Sequence, residues 1–90
     1  METAKKSDIR RRLQCIEGHA RGVYRMVETE ADCMDIVHQI SAIQGSLRKV
    51  KALLIEDYLA RQLPIALDRK GPDDHAYILG QVAKLLNSAE

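Results

Sequence analysis

Two apolar stripes constrain this chain more than any other feature. Ile9, Leu13, Ile16, Ala20, Val23 and Val27 recur at intervals of 4-3-4-3-4, and Ile36, Ile40, Ile43, Leu47, Val50 and Leu54 repeat the same intervals. This period places each set on one face of an α-helix and matches the repeat of a coiled-coil seam. The first helix is predicted from about residue 8 to about residue 28, with Ser7 as N-cap because its hydroxyl can accept from a free first-turn amide. Asp32 with Asp35 is a capping signature for the second helix, which meets no breaker before Pro64. A helix of about thirty residues exceeds the usual globular length and points to a bundle or coiled coil.

Pro64 removes an amide and disfavours helix at Leu63, although a kinked continuation through Ile65, Ala66 and Leu67 stays open. Residues from Asp68 to Asp74 read as a loop around the turn signal Lys70-Gly71-Pro72. Asp73 or Asp74 then caps a short third helix carrying Ile78, Leu79, Val82, Leu85 and Leu86. With no β pattern, repeat or low-complexity tract, the expectation is one all-α domain over residues 1–90, frayed over about 1–6 and 88–90. Its 90 residues contain no Trp, no Phe and three Tyr, so the core is built from aliphatic side chains and is thin. Burial of the helices against a second chain would relieve that shortage.

Net charge is only +1, but it is unevenly placed. Lys5, Lys6, Arg10, Arg11, Arg12, Arg21 and Arg25 face only Glu2, Asp8 and Glu17 within the first 27 residues, whereas Glu28, Glu30, Asp32 and Asp35 form an acidic corner. Arg11, Arg12 and Lys5 can reach phosphates from a helix surface, and Arg48, Lys49 and Lys51 make a second basic cluster on the long helix. A solvated charged face is the ordinary alternative. Alignment of several such clusters in an oligomer favours nucleic acid, because weak contacts multiply.

No nucleophile with a base, paired carboxylates or phosphate-cradling glycine loop is legible, which argues against an enzyme. Gly18, Gly22 and Gly45 interrupt helical patterns, each costing about 1 kcal/mol relative to Ala, and are read as tolerated or as points of close helix approach. Two Cys, no apolar leader and no membrane-length run predict a reducing cytoplasm with free thiols. Cys33 stands at a helix start, where a sensor thiol is one reading and a buried inert thiol the ordinary one. Cys15 and His19 are one helical turn apart with Arg11 and Arg12 nearby, a spacing that lets two ligands meet one metal, though two alone rarely hold it. His38 and His75 have no evident partners in the sequence.

The run from Arg12 through Leu-Gln-Cys-Ile-Glu-Gly-His-Ala-Arg-Gly to Val27, followed by Cys33-Met-Asp-Ile-Val-His-Gln-Ile-Ser-Ala, closely resembles the CsoR/RcnR/FrmR family of bacterial repressors. The likeness extends from about residue 5 to about residue 87 and rests on two motifs and their separation. It implies a three-helix protomer whose two long helices pair with a second chain as an antiparallel four-helix bundle. Dimers would form a disc-like homotetramer that binds operator DNA across a basic face. Family DNA-contact positions fall on Arg12 and Lys49.

In copper-sensing relatives Cu(I) is held by a Cys at the position of Cys33 together with a His and a Cys of the other chain. Those two positions fall on Tyr58 and Gln62, where a phenol and an amide do not replace the soft ligands that Cu(I) prefers. The N-terminal His of nickel and cobalt sensors, the N-terminal Pro of formaldehyde sensors and the second Cys of persulfide sensors are missing too. The expectation is a transcriptional repressor with weak or no Cu(I) binding, an unidentified inducer and Cys33 as a residual thiol. Cys15 is a further departure, since the family commonly carries a basic or polar residue there. Two rival readings are a helical interaction module that forms mixed oligomers without recognising DNA, and a thiol-based metal carrier.

Overall fold

The structure is a computed structural model that describes residues 1–68 and 72–87. Three helices account for them: α1 (Thr3–Glu28), α2 (Cys33–Asp68) and α3 (Pro72–Asn87), with no strand among the described residues. The all-α class expected from the two apolar stripes is therefore what the chain adopts.

The ends of the helices differ from the sequence expectation in instructive ways. Helix α1 begins at Thr3, so Ser7 lies inside it and the N-cap is Glu2, whose side chain makes no capping bond. Ala4, Lys5 and Lys6 are good helix formers, and nothing before Ser7 breaks a helix. At the other end the turn is tightly specified. Ala31 N–H donates to Met26 O at 2.9 Å and Glu30 N–H to Val27 O at 3.1 Å, the paired bonds of a Schellman motif, with Glu30 at φ 55°. A glutamate in the left-handed region carries a steric cost of about 1 kcal/mol that glycine escapes. Glu30→Gly should raise stability by about 0.5–1 kcal/mol, read as a higher denaturant midpoint with unchanged slope.

Asp32 caps α2 as the sequence suggested, its Oδ2 accepting from the backbone of Met34 at 3.1 Å and Asp35 at 3.4 Å. The helix then continues past Pro64 to Asp68. Pro64 has no N–H to pair with the Ala60 carbonyl, and Ala60 is exposed, so that carbonyl can turn to water. Helix α3 starts at Pro72, ahead of Asp73 and Asp74, because proline suits the first helical position, where no amide bond is lost. Asp68 and the residues from Pro72 to Asp74, expected in a loop, are therefore helical. Arg69, Lys70 and Gly71 lie outside the described residues.

Two compact units divide the chain at Val50. In the first, residues 1–50, α1 and the first half of α2 form an antiparallel hairpin: Arg11 and Arg12 lie near Lys49, and His19 near Ala42 and Gln39. The stripes are covered in alternation. Ile9 (7 % exposed) and Val50 (5 %) are buried, and Ile16, Val23, Ile36 and Ile43 are half-buried. These residues recur at sevens. Leu13, Ala20 and Val27 of α1 and Ile40, Leu47 and Leu54 of α2, the other row of each stripe, stay exposed. A Cβ at Gly18 or Gly22 would meet nothing within 4 Å, so the chain's own packing does not require either glycine.

The second unit, from Lys51 onward, buries Ile78 and half-buries Val82 and Leu85, while Leu79 is exposed. The side chain of Leu86 lies outside those described. Asp57 is buried at 4 % exposure, with Arg61 Nε 2.9 Å from its Oδ2, but the approach is not aligned as a hydrogen bond. That carboxylate is held by charge attraction across one helical turn, an arrangement that helps only because the partner is close.

Candidate nucleic-acid interface

The hairpin of the first unit creates an open groove of about 500 Å³ between α1 and α2. Arg11, Arg12, Cys15, Ile16 and His19 line one side, and Ala42, Gly45, Ser46 and Lys49 the other. Thus the two basic clusters that are far apart in sequence supply cations to one cleft. Arg48 and Lys5 are not among the lining residues; Arg48 is exposed and Lys5 half-buried.

Asp8, one turn before the cleft on α1, holds the two arginines. Its Oδ1 accepts from Arg11 Nη2 at 2.8 Å and its Oδ2 from Arg12 Nε at 3.1 Å. The hydrogen bonds from Arg11 and then Arg12 hold the Asp8 carboxyl below the usual aspartate value. The stabilisation is therefore present above the ordinary aspartate pKa and is lost as pH falls through the lowered one. Because all three side chains meet water, the pairs orient more than they stabilise. The i,i+3 and i,i+4 spacing was a readable signal for this clamp, which the charge tally passed over.

His19 is tied across the hairpin. Its Nε2 donates to Gln39 Oε1 at 2.6 Å, which joins α1 to α2 at the end of the groove remote from Arg11. Cys15 and Cys33 are both free and exposed, contrary to the ordinary buried reading for Cys33. Cys33 opens α2 beside the acidic Asp32 and Asp35, whereas Cys15 sits among cations. On the later part of α2, Tyr58 and Gln62 are one turn apart and half-buried. Among the described residues no three of His, Cys, Asp and Glu gather as a metal cluster, and no helix is long and apolar enough to cross a membrane.

Comparison with known proteins agrees on one family. Residues 5–88 match the family model described as a metal-sensitive transcriptional repressor. The copper-sensing transcriptional repressor RicR of Mycobacterium tuberculosis (strain ATCC 25618 / H37Rv) is 36 % identical over 70 residues, covering 78 % of this chain and 73 % of the relative. The copper-sensing repressor CsoR of Bacillus subtilis (strain 168) is 45 % identical over 53 residues, 59 % of this chain and 52 % of the relative. CsoR of Mycobacterium tuberculosis (strain F11) is 40 % identical over 57 residues, 63 % and 48 % respectively. The chain thus spans about half the length of these CsoR relatives. No solved structure matches it. With 84 consecutive residues inside the family model, the chain belongs to the metal-sensitive transcriptional repressors, a non-enzymatic family.

Proposed function

We propose that the chain is a cytoplasmic homo-oligomeric repressor that binds operator DNA through Arg12, Lys49, Arg11 and neighbouring basic residues, and that its response to copper is altered or absent. The observation that carries the DNA reading is the groove, in which α1 and α2 present Arg11, Arg12 and Lys49 together. Cations gathered from two helices follow a phosphate backbone better than a scattered charged face does. The exposed half of each stripe supports the oligomer. Leu13 and Val27 on α1 and Ile40 and Leu47 on α2 are apolar, heptad-spaced and exposed, and a second hairpin would cover them as a four-helix bundle, while two dimers would repeat the basic groove four times.

The copper reading rests on donor chemistry. Of the three family ligand positions, Cys33 supplies a thiol, but Tyr58 and Gln62 offer a phenol and an amide to a soft ion that selects thiolate and imidazole. These residues do not fit Cu(I), so the inducer acts through other chemistry.

Fluorescence anisotropy with the chain's own promoter fragment tests the DNA reading. Log affinity should fall linearly with log salt with a slope of about −3 or steeper, given three groove cations per chain and about −0.9 per neutralised phosphate. A slope near zero would overturn it and favour a helical interaction module. Asp8→Asn removes the anion bonded to Arg11 and Arg12 and should tighten operator binding about threefold at low salt, an advantage that vanishes at high salt.

A further inference from the structure

The groove contains a nucleophile that DNA binding does not use. Cys15 is exposed, lines the same cleft as Arg11, Arg12 and Lys49, and has His19 fixed one turn away by Gln39. A metal does not account for this set, because the groove offers only two soft-metal donors, Cys15 and His19, and no acidic side chain lines it. An anion with a reactive sulfur does account for it. The cations would seat carboxylates, and the thiol would then lie beside the bound molecule.

We propose that this groove is a thiol–disulfide exchange site at Cys15 for low-molecular-weight disulfides that carry carboxylates. The Cys15 thiolate attacks one sulfur of the disulfide, a new S–S bond forms to Cys15, the original S–S bond breaks, and the departing thiolate takes up the proton that Cys15 released. No further oxidant is needed, because the bound disulfide is itself the electron acceptor. Asp8 offsets part of the cationic charge but is not among the groove residues, so Arg11, Arg12 and Lys49 dominate inside it. The selectivity is set by charge: the other exposed thiol, Cys33, stands among Asp32, Asp35 and Glu30 and repels the same molecules. Resting on the DNA reading above, the modification also carries a regulatory consequence. An anionic adduct on Cys15 neutralises the groove and occupies the space of a phosphate, so the operator is released.

The two thiols make the test internal to one molecule. The full chain is treated separately with glutathione disulfide, which is anionic, and with cystamine, which is cationic, and the adduct at each cysteine is quantified by peptide mass spectrometry over time. Glutathione disulfide should modify Cys15 at least about tenfold faster than Cys33, the preference should shrink in Lys49→Ala and at high salt, and cystamine should reverse it. The same ratio with both disulfides, or a preference of glutathione disulfide for Cys33, would overturn the site. In the second arm, preformed operator complexes of the chain and of Cys15→Ser receive glutathione disulfide. Release confined to the chain with Cys15 supports the regulatory consequence; persistence of the complex despite a Cys15 adduct overturns it and leaves the site standing. Failure of the untreated chain to bind operator at all would defeat the DNA reading alone, since the adduct ratio is measured without DNA.

Discussion

Replacing Arg12 and Lys49 together by Ala should lower affinity for promoter DNA by about a hundredfold or more near physiological salt, and each single substitution should lessen the salt slope by about one for every chain that contacts the DNA. The effect should be nearly the same for operator and unrelated duplex, because side chains that meet phosphates position the protein without reading bases. The two residues come from different helices but line one groove, so losing both removes the charge from both walls. Arg48→Ala is the matched comparison: a neighbouring cation on α2 that does not line the groove, with a smaller expected loss. Anisotropy titrations over a salt series measure all four variants. Equal losses for Lys49→Ala and Arg48→Ala would show that net charge, rather than the groove, governs binding.

A comparably large effect is expected from restoring soft ligands. Tyr58→His with Gln62→Cys should raise Cu(I) affinity by about a thousandfold or more over the parent chain, and the gain should disappear when Cys33→Ala is added. The two positions are one turn apart on one face of α2, so an imidazole and a thiolate placed there can converge on one ion, with the exposed Cys33 of a second copy of the chain to make the third bond. Competition against a chromophoric Cu(I) chelator gives both affinities. Tight stoichiometric binding by the parent chain, abolished by Cys33→Ala alone, would defeat the proposed loss of copper response.

How much could be read beforehand depended on the range of each interaction. The spacing of Ile9 through Val27 and of Ile36 through Leu54 is a property of neighbouring turns, and it correctly announced two long helices. Asp32 worked as a cap because a capping bond spans only two or three residues. Ser7 failed by the same logic, since a capping residue ends a helix only where the residues before it resist one, and Ala4, Lys5 and Lys6 do not. Proline at the start of α3 was a better marker than the two aspartates after it, because a missing amide is harmless only at that end. The Asp8 clamp was legible from its spacing, whereas the bond from His19 to Gln39, twenty residues apart, depends on the hairpin.

The two stripes that opened the sequence therefore determined the helical class and the faces that seek burial, because periodicity acts within a few turns. Which row of each stripe is covered, and that Lys49 meets Arg11 and Arg12 beside Cys15, was decided by tertiary structure alone. The physical reason lies in the reversal. The Schellman turn through Glu30 and the cap at Asp32 fix where α2 begins relative to α1, and packing of Ile9, Ile16, Val23, Ile36, Ile43 and Val50 selects one register for the whole hairpin. A shift of one turn would move Lys49 away from the arginines while leaving every local helix signal unchanged.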